Sequence, residues 1–118
     1  MKTAVVGSRG IYLSAFGDYL GEDCEEIVSG GARGVDECAA RYALSRGIKL
    51  TEFLPEYSKY GRSAPIIRNK QIVDYADEVI AFWNGKSKGT LSVINYCKKT
   101  GKPCRVIISD ADTKKGAL

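Results

Sequence analysis

The chain has 118 residues, of which 44% are hydrophobic and 27% charged, a composition that excludes a disordered or fibrous protein. This length is typical of one domain, so we expect residues 1–118 to form a single domain. The net charge of +4 comes without a long run of like charges, which argues against a nucleic-acid-binding arm. Because the N-terminal apolar run is too short for a signal peptide and no stretch approaches a membrane span, we expect a soluble, cytoplasmic protein with no membrane partner.

The four cysteines, Cys24, Cys38, Cys97 and Cys104, form no C-x-x-C pair, and histidine is absent from the chain. The usual zinc-ligand patterns are therefore missing, and we expect neither a metal site nor a resident cofactor. We interpret the cysteines as reduced thiols in core positions, as is typical of cytosolic proteins.

The first half of the chain alternates short β-rich runs with segments of helical periodicity. A strand is predicted at residues 3–6, and apolar residues at helical spacing predict a first helix over residues 11–20. A second strand at residues 26–29 leads through a glycine-rich turn into a helix that begins near Val35 and stops at Gly47.

The second half continues this alternation. A third strand is predicted over residues 49–54, followed by an irregular surface loop over residues 56–63. Pro65 fits the first turn of a third helix, which we expect to turn Ile66 and Ile72 inward. The elements that follow are a fourth strand, a fourth helix, a fifth strand and a flexible tail, at residues 78–83, 90–100, 105–109 and 110–118.

This order of strands and helices predicts the fold class. Strands that alternate with helices at this spacing form right-handed crossovers and a parallel sheet. The strands are short and apolar on both faces, as a covered parallel sheet requires. We therefore expect a Rossmann-like, three-layer α/β sandwich with a five-stranded parallel sheet and helices on both faces.

Three glycine-bearing turns follow predicted strands, at residues 7–10, 29–34 and 85–90, and each leads towards a predicted helix. In open parallel sheets, ligands bind beyond the carboxyl ends of the strands, where the strand order reverses. The free amides and the dipole of a helix N-terminus attract anions there. No turn matches G-x-G-x-x-G or a Walker P-loop, so a phosphate site is predicted only from the three turns together.

Several motifs also carry a resemblance to a known family. They are, in chain order, Val5-Val6-Gly7-Ser8-Arg9, Ser29-Gly30-Gly31-Ala32-Arg33-Gly34-Val35-Asp36, Tyr60-Gly61-Arg62, Arg68-Asn69 and Ser87-Lys88-Gly89-Thr90. Together, over about residues 3–108, they resemble the SLOG superfamily of Rossmann-like proteins, which includes the DNA-processing protein A fold and the LOG-type phosphoribohydrolases. The resemblance is strongest to its small, single-domain bacterial and phage branch related to YspA and YpsA.

The resemblance implies a ligand that is a nucleotide, an ADP-ribose-like or NAD-derived signal, or nucleic acid. It also implies that the glycine-bearing turns and the third helix surround this ligand. The candidate nucleotide-binding residues are Gly7, Ser8, Arg9, Ser29, Gly30, Gly31, Gly34, Asp36, Arg68, Asn69, Ser87, Gly89 and Thr90.

Several of these side chains also have a structural interpretation. Arg9 and Arg68 either contact a phosphate or lie at the surface. Asp36 either accepts a hydrogen bond from a ribose hydroxyl or stabilises the dipole of the second helix. Asn69 either contacts the ligand or satisfies buried backbone groups, and Trp83 either stacks on a base or belongs to the core.

The sequence leaves three functions open. The favoured one is nucleotide binding by a sensor or carrier domain. The alternative is LOG-like hydrolysis of an N-glycosidic bond, which needs a carboxylate near the ribose. The position of the LOG glutamate is Val93 here, and Asp36 or Glu56 would have to replace it. Single-stranded nucleic-acid binding is the third, because the 29–36 run also resembles the DNA-processing protein.

We also expect self-association, because a small doubly wound sheet leaves apolar helix faces to cover. Base rates favour a homodimer, and Tyr12, Tyr19 and Tyr96 are the candidate contact residues.

Overall fold

The computed structural model describes residues 1–8, 10–13 and 16–108 and contains one five-stranded sheet in which every pairing is parallel. The strands lie side by side in the order β3-β2-β1-β4-β5. This arrangement confirms the predicted Rossmann-like α/β class. The strands are β1 (Lys2–Gly7), β2 (Glu26–Ser29), β3 (Lys49–Glu52), β4 (Glu78–Trp83) and β5 (Cys104–Ile108).

Helices connect the strands and cover the sheet on both sides. The α-helices are α1 (Val35–Arg46), α2 (Tyr57–Tyr60), α3 (Ala64–Tyr75) and α4 (Lys88–Thr100). Two short 3₁₀ helices, Phe16–Tyr19 and Gly61–Ser63, complete the described elements.

The core consists of two layers, one on each face of the sheet, because successive strand residues point to opposite faces. On β1, Ala4 and Val6 belong to the layer beneath α3 and α4, whereas Val5 belongs to the layer beneath α1. Burial is complete only in the middle of the sheet. On the edge strand β5, Val106 is 40% and Ile108 69% exposed, so the expectation that all strands are covered on both faces is wrong for this edge.

The predicted first helix is wrong in the described part of the chain. Ile11 is buried but is not helical, and the segment forms only the 3₁₀ turn Phe16–Tyr19 before the chain reaches β2. Phe16 and Tyr19 both pack against the ring of Phe82. Ile11 and Phe16 are therefore buried against the sheet without an α-helix, and Tyr19 is partly buried beside them.

The predicted loop at residues 56–63 is also wrong, since α2 and a 3₁₀ turn lead directly into α3 there. Pro65 lies in the first turn of α3 as expected. Ile72 is buried, but Ile66 is 53% exposed. The predicted tail at residues 110–118 lies outside the described residues. Among the helices of the described ranges, none has both the length and the apolar character needed to cross a membrane.

A buried carboxylate joins three elements at the amino ends of the strands. Glu26, the first residue of β2, is 8% exposed and accepts hydrogen bonds from the hydroxyls of Tyr75 (2.6 Å) and Thr51 (2.7 Å). The ammonium group of Lys49 lies 3.7 Å from its other oxygen. The Tyr75 bond is the main reason why the pKa of Glu26 is lowered. The ionised carboxylate therefore connects β2, β3 and the end of α3.

We expect Glu26→Gln to lower the free energy of unfolding by about 1–2 kcal/mol at pH 7, because two hydrogen bonds to a charged acceptor are weakened. Since the pKa is lower in the folded state, the wild-type contribution is present above the unfolded pKa of about 4.3 and is lost as the pH falls through the folded pKa. Urea denaturation at pH 7 and in acid measures both effects. The control is Glu25→Gln, whose side chain is 86% exposed; an equal loss in both variants would contradict this role of Glu26.

Candidate functional site

A cleft of about 490 Å³ lies at the carboxyl edge of the sheet, above the ends of β1 and β4. At this point the strand order reverses, because the chain proceeds from β1 outward to β2 and β3 and then returns to β4 on the other side. Parallel sheets open a crevice at such a point, since the two neighbouring connections diverge. The cleft is therefore where the fold itself places a ligand site.

Most of the residues predicted from the sequence line this cleft. Ser29, Gly31 and Gly34 do not line it, and Arg9 lies outside the described residues. Those that line it are Gly7, Ser8, Gly30, Asp36, Arg68, Asn69, Ser87, Gly89 and Thr90. The three turns thus meet at one edge, but the 29–34 turn contributes only part of its length.

The N-terminus of α4 forms one end of the cleft, and hydrogen bonds from neighbouring side chains hold it in place. Ser87 is the N-cap residue, and its Oγ accepts a hydrogen bond from the Thr90 amide at 3.3 Å. Asn84 Oδ1 accepts from the amides of Lys86 and Ser87, each at 2.9 Å. Trp83 Nε1 donates to the Ser87 carbonyl at 3.0 Å, so this indole supports the turn.

The first turn of α4 contains no acidic residue. Lys88 and Gly89 are the first two helical residues, so their amides have no carbonyl partner within the helix. The partial positive charge of this helix end is therefore available to an anion in the cleft.

The N-terminus of α1, by contrast, is neutralised by its own side chains. Asp36 Oδ2 accepts a hydrogen bond from the Ala32 amide at 3.0 Å, and Glu37 Oε1 accepts from the Gly34 amide at 3.3 Å. Gly34 is the N-cap residue with a φ of 75°, a conformation that only glycine adopts without strain. The 29–34 turn was expected to form part of the ligand site, but its Ala32 and Gly34 amides are already bonded to carboxylates.

Asp36 is 6% exposed and faces the cleft from this acidic end. Burial raises the pKa of its carboxyl group, while the hydrogen bond from Ala32 and the positive charge of Arg68 oppose that shift. Both sequence interpretations of Asp36 therefore remain compatible with its position, because it bonds to the turn and also lines the cleft.

Arg68 reaches from α3 across the floor of the cleft. Its Nη1 donates to the Gly30 carbonyl at 2.8 Å and to the Phe53 carbonyl at 3.4 Å, and its Nε donates to Asn69 Oδ1 at 2.9 Å. A Cβ atom at Gly30 would lie 2.4 Å from Nη1. Gly30 therefore leaves room for the guanidinium group, and Asn69 orients it.

Two buried serine hydroxyl groups have no hydrogen-bond partner among the described residues. They are the Oγ atoms of Ser8, which is 4% exposed and lines the cleft, and of Ser29, which is fully buried at the end of β2. An unpaired buried hydroxyl costs about 1–3 kcal/mol. The Ser8 hydroxyl therefore favours a polar group in the cleft.

Sequence reasoning missed several residues of the cleft. Asn84 could have been found from its place before a glycine in a strand-to-helix turn, where asparagine commonly caps the backbone. Gly10 and Ala32 lie in two of the turns that the sequence indicated, but they were not among the candidate residues. An apolar wall was missed because its residues have the same periodicity as the core; it consists of Val6, Pro65, Ile72 and Val93.

No family model matches the chain. The chain is similar to the Gene 61 protein of Mycobacterium phage D29, with 35% identity over 83 residues that cover 65% of this chain. These residues span 66% of the phage protein, a little under two thirds of its length. The name of that protein states no activity, so the functional argument rests on the cleft.

Two glycines at the cleft should respond in opposite ways to alanine. A Cβ atom at Gly7 would lie 2.4 Å from Val35 Cγ2, whereas one at Gly89 would meet no atom within 4 Å. We expect Gly7→Ala to lower the free energy of unfolding by about 1–3 kcal/mol through overpacking. Gly89→Ala should raise it by up to about 1 kcal/mol, because alanine favours the helix. Urea denaturation compares the two, and equal effects would contradict the assignment of Gly7 to strand–helix packing.

Proposed function

We propose that this chain binds a phosphate-bearing nucleotide or nucleotide derivative in the cleft, of the ADP-ribose, NAD or nucleoside-monophosphate kind, and acts as a sensor or carrier domain. The observation that carries the proposal is that the acid-free N-terminus of α4 and the buried Ser8 hydroxyl, which has no hydrogen-bond partner among the described residues, line the same cleft. Amide and hydroxyl donors that converge without an acceptor are suited to phosphate oxygens.

The charges around the cleft support a small anion. Arg68 contributes a guanidinium group to the lining, and Lys86 and Lys88 are exposed beside the α4 N-terminus, where they attract anions without lining the cleft. The volume of about 490 Å³ lies within the range of small-molecule sites.

Hydrolysis of an N-glycosidic bond is the second candidate and is less well supported. Val93 is 2% exposed and belongs to the apolar wall, so the LOG glutamate position offers no acid–base chemistry. Glu56 is exposed and does not line the cleft. Asp36 is the one carboxylate that lines the cleft within the described ranges, and hydrolysis would have to rely on it.

Single-stranded nucleic-acid binding is the third candidate. It normally requires aromatic side chains on which bases stack and an extended basic groove. No aromatic residue in the described part of the chain lines the cleft, and Trp83 is engaged with the Ser87 carbonyl. A small ligand therefore fits the cleft better than a strand of nucleic acid.

A homodimer remains part of the proposal, but the three tyrosines are weak candidates for its contacts. Tyr12 donates to Glu37, Tyr96 donates to Asp74, and Tyr19 packs edge-on against Phe82. All three are engaged within the chain. Sedimentation velocity would measure the number of subunits.

A thermal-shift panel tests the function. It contains nucleoside monophosphates, NAD and ADP-ribose derivatives, and short oligonucleotides, with product analysis of every compound that binds. A ligand at about 100 times its Kd adds about 2.7 kcal/mol to the free energy of unfolding. Release of a free base would favour hydrolysis, and an affinity for oligonucleotides that falls steeply with salt would favour nucleic acid.

A carboxylate at position 89 should separate ligand binding from stability. Asp in the first turn of α4 favours the helix dipole, so Gly89→Asp should leave the free energy of unfolding unchanged or raise it by about 0.3–1 kcal/mol. The same charge repels a phosphate, so affinity for the compounds found in the panel should fall about tenfold or more.

The matched control is Asn95→Asp, which places the same charge at an exposed position of α4 that does not line the cleft. Titration calorimetry should give wild-type affinity for this control. Undiminished binding by Gly89→Asp would show that the phosphate does not lie at the α4 N-terminus.

A further inference from the structure

We propose that Asp36 is the specificity-determining residue of the cleft and that it accepts a hydrogen bond from a ribose hydroxyl, so that the protein selects ribonucleotides over deoxyribonucleotides. This inference rests on the proposed function, because it concerns the part of the ligand that lies away from the phosphate.

The argument begins with an electrostatic conflict. The α4 N-terminus, the Ser8 hydroxyl and Arg68 are all donors and favour an anion, yet Asp36 lines the same cleft and is 6% exposed. A carboxylate directly beside a phosphate is strongly unfavourable in a partly buried site. The phosphate and Asp36 must therefore lie at different ends of the cleft, and the ligand must present a hydrogen-bond donor to Asp36.

The position of Asp36 is set by the backbone. The Ala32 amide donates to its Oδ2 at 3.0 Å, and the residue lies in the first turn of α1 with its backbone held by the helix. A carboxylate accepts several hydrogen bonds, so this bond leaves acceptor capacity for a ligand. A side chain held in this way discriminates between ligands better than a mobile one.

The order of the strands indicates which donor reaches Asp36. Its anchoring turn follows β2 and the phosphate end follows β4, so the central strand β1 separates the two ends of the cleft. In a 5′-nucleotide the ribose hydroxyls lie across the sugar ring from the phosphate, and a base amine lies beyond the sugar. A ribose hydroxyl is therefore the donor closest to the phosphate that faces the Asp36 end.

The lining of the cleft agrees with a sugar at this place. Bases are usually recognised by stacking on aromatic rings, and none of the described lining residues is aromatic. The apolar wall formed by Val6, Pro65, Ile72 and Val93 can pack against the carbon face of a sugar ring. Recognition of a phosphate at one end and of a ribose at the other thus explains why the cleft has one donor-rich end and one acidic end.

Titration calorimetry with AMP, 2′-deoxy-AMP, 3′-deoxy-AMP, IMP and inorganic phosphate tests the inference on the wild-type protein. We expect at least one deoxy analogue to bind about tenfold or more weakly than AMP, because a hydrogen bond to a charged acceptor is lost. IMP lacks the amine of adenine and should bind like AMP. Asp36→Asn should bring the ratio of AMP to deoxy-AMP affinity close to one and leave the affinity for inorganic phosphate intact.

The control is Glu37→Gln, which removes the neighbouring carboxylate of the same helical turn without touching the cleft lining. It should keep the wild-type ratio. Equal affinity of wild type for AMP and both deoxy analogues would overturn the role of Asp36, as would a loss of IMP binding or uniform weakening of every compound by Asp36→Asn. Failure of all five compounds to bind to wild type would overturn the proposed function as well.

Discussion

The parallel direction of all five strands is the constraint on which the rest of this structure depends. It brings every carboxyl end to one edge, and the order β3-β2-β1-β4-β5 separates the connections on either side of β1. Gly7 allows this central strand to end against α1, because any larger residue would collide with Val35. The cleft follows from this geometry before any particular side chain is considered, and the residues at its rim only decide what it binds.

The two helix N-termini at the cleft have opposite chemistry. In α1, Asp36 and Glu37 accept hydrogen bonds from the turn that precedes the helix, so that end carries its own negative charge. In α4 the cap is the neutral Ser87, and the first turn has no acid. A ligand that satisfies both ends has an anionic group at α4 and an uncharged donor at α1. A phosphorylated sugar has both groups.

The fold was predictable because β1, β2 and β4 are short β-rich runs that lead into glycine-bearing turns, and all five strands lie within two residues of the predicted bounds at both ends. The first helix was not predictable, because the apolar residues over 11–20 have helical spacing as a set, yet Ile11 and Phe16 are buried against the sheet outside any α-helix. In the site, Ser8, Arg68 and Thr90 were found from motif and turn position. Ser29, the last residue of β2, is fully buried and does not line the cleft, because successive strand side chains point to opposite faces and the residue types do not specify which face meets the cleft.

The central claim is that phosphate binds at the N-terminus of α4, and amide chemical shifts test it most directly. Titration of isotopically labelled protein with ADP-ribose should give saturable shifts of the backbone amides of Ser8, Lys88, Gly89 and Thr90, because the ligand would contact or lie beside each of them. The outer face of α1, for example Arg41 and Ser45, should not respond. Shifts centred on that outer face, or no shift at any amide with ADP-ribose or with AMP, would contradict the account.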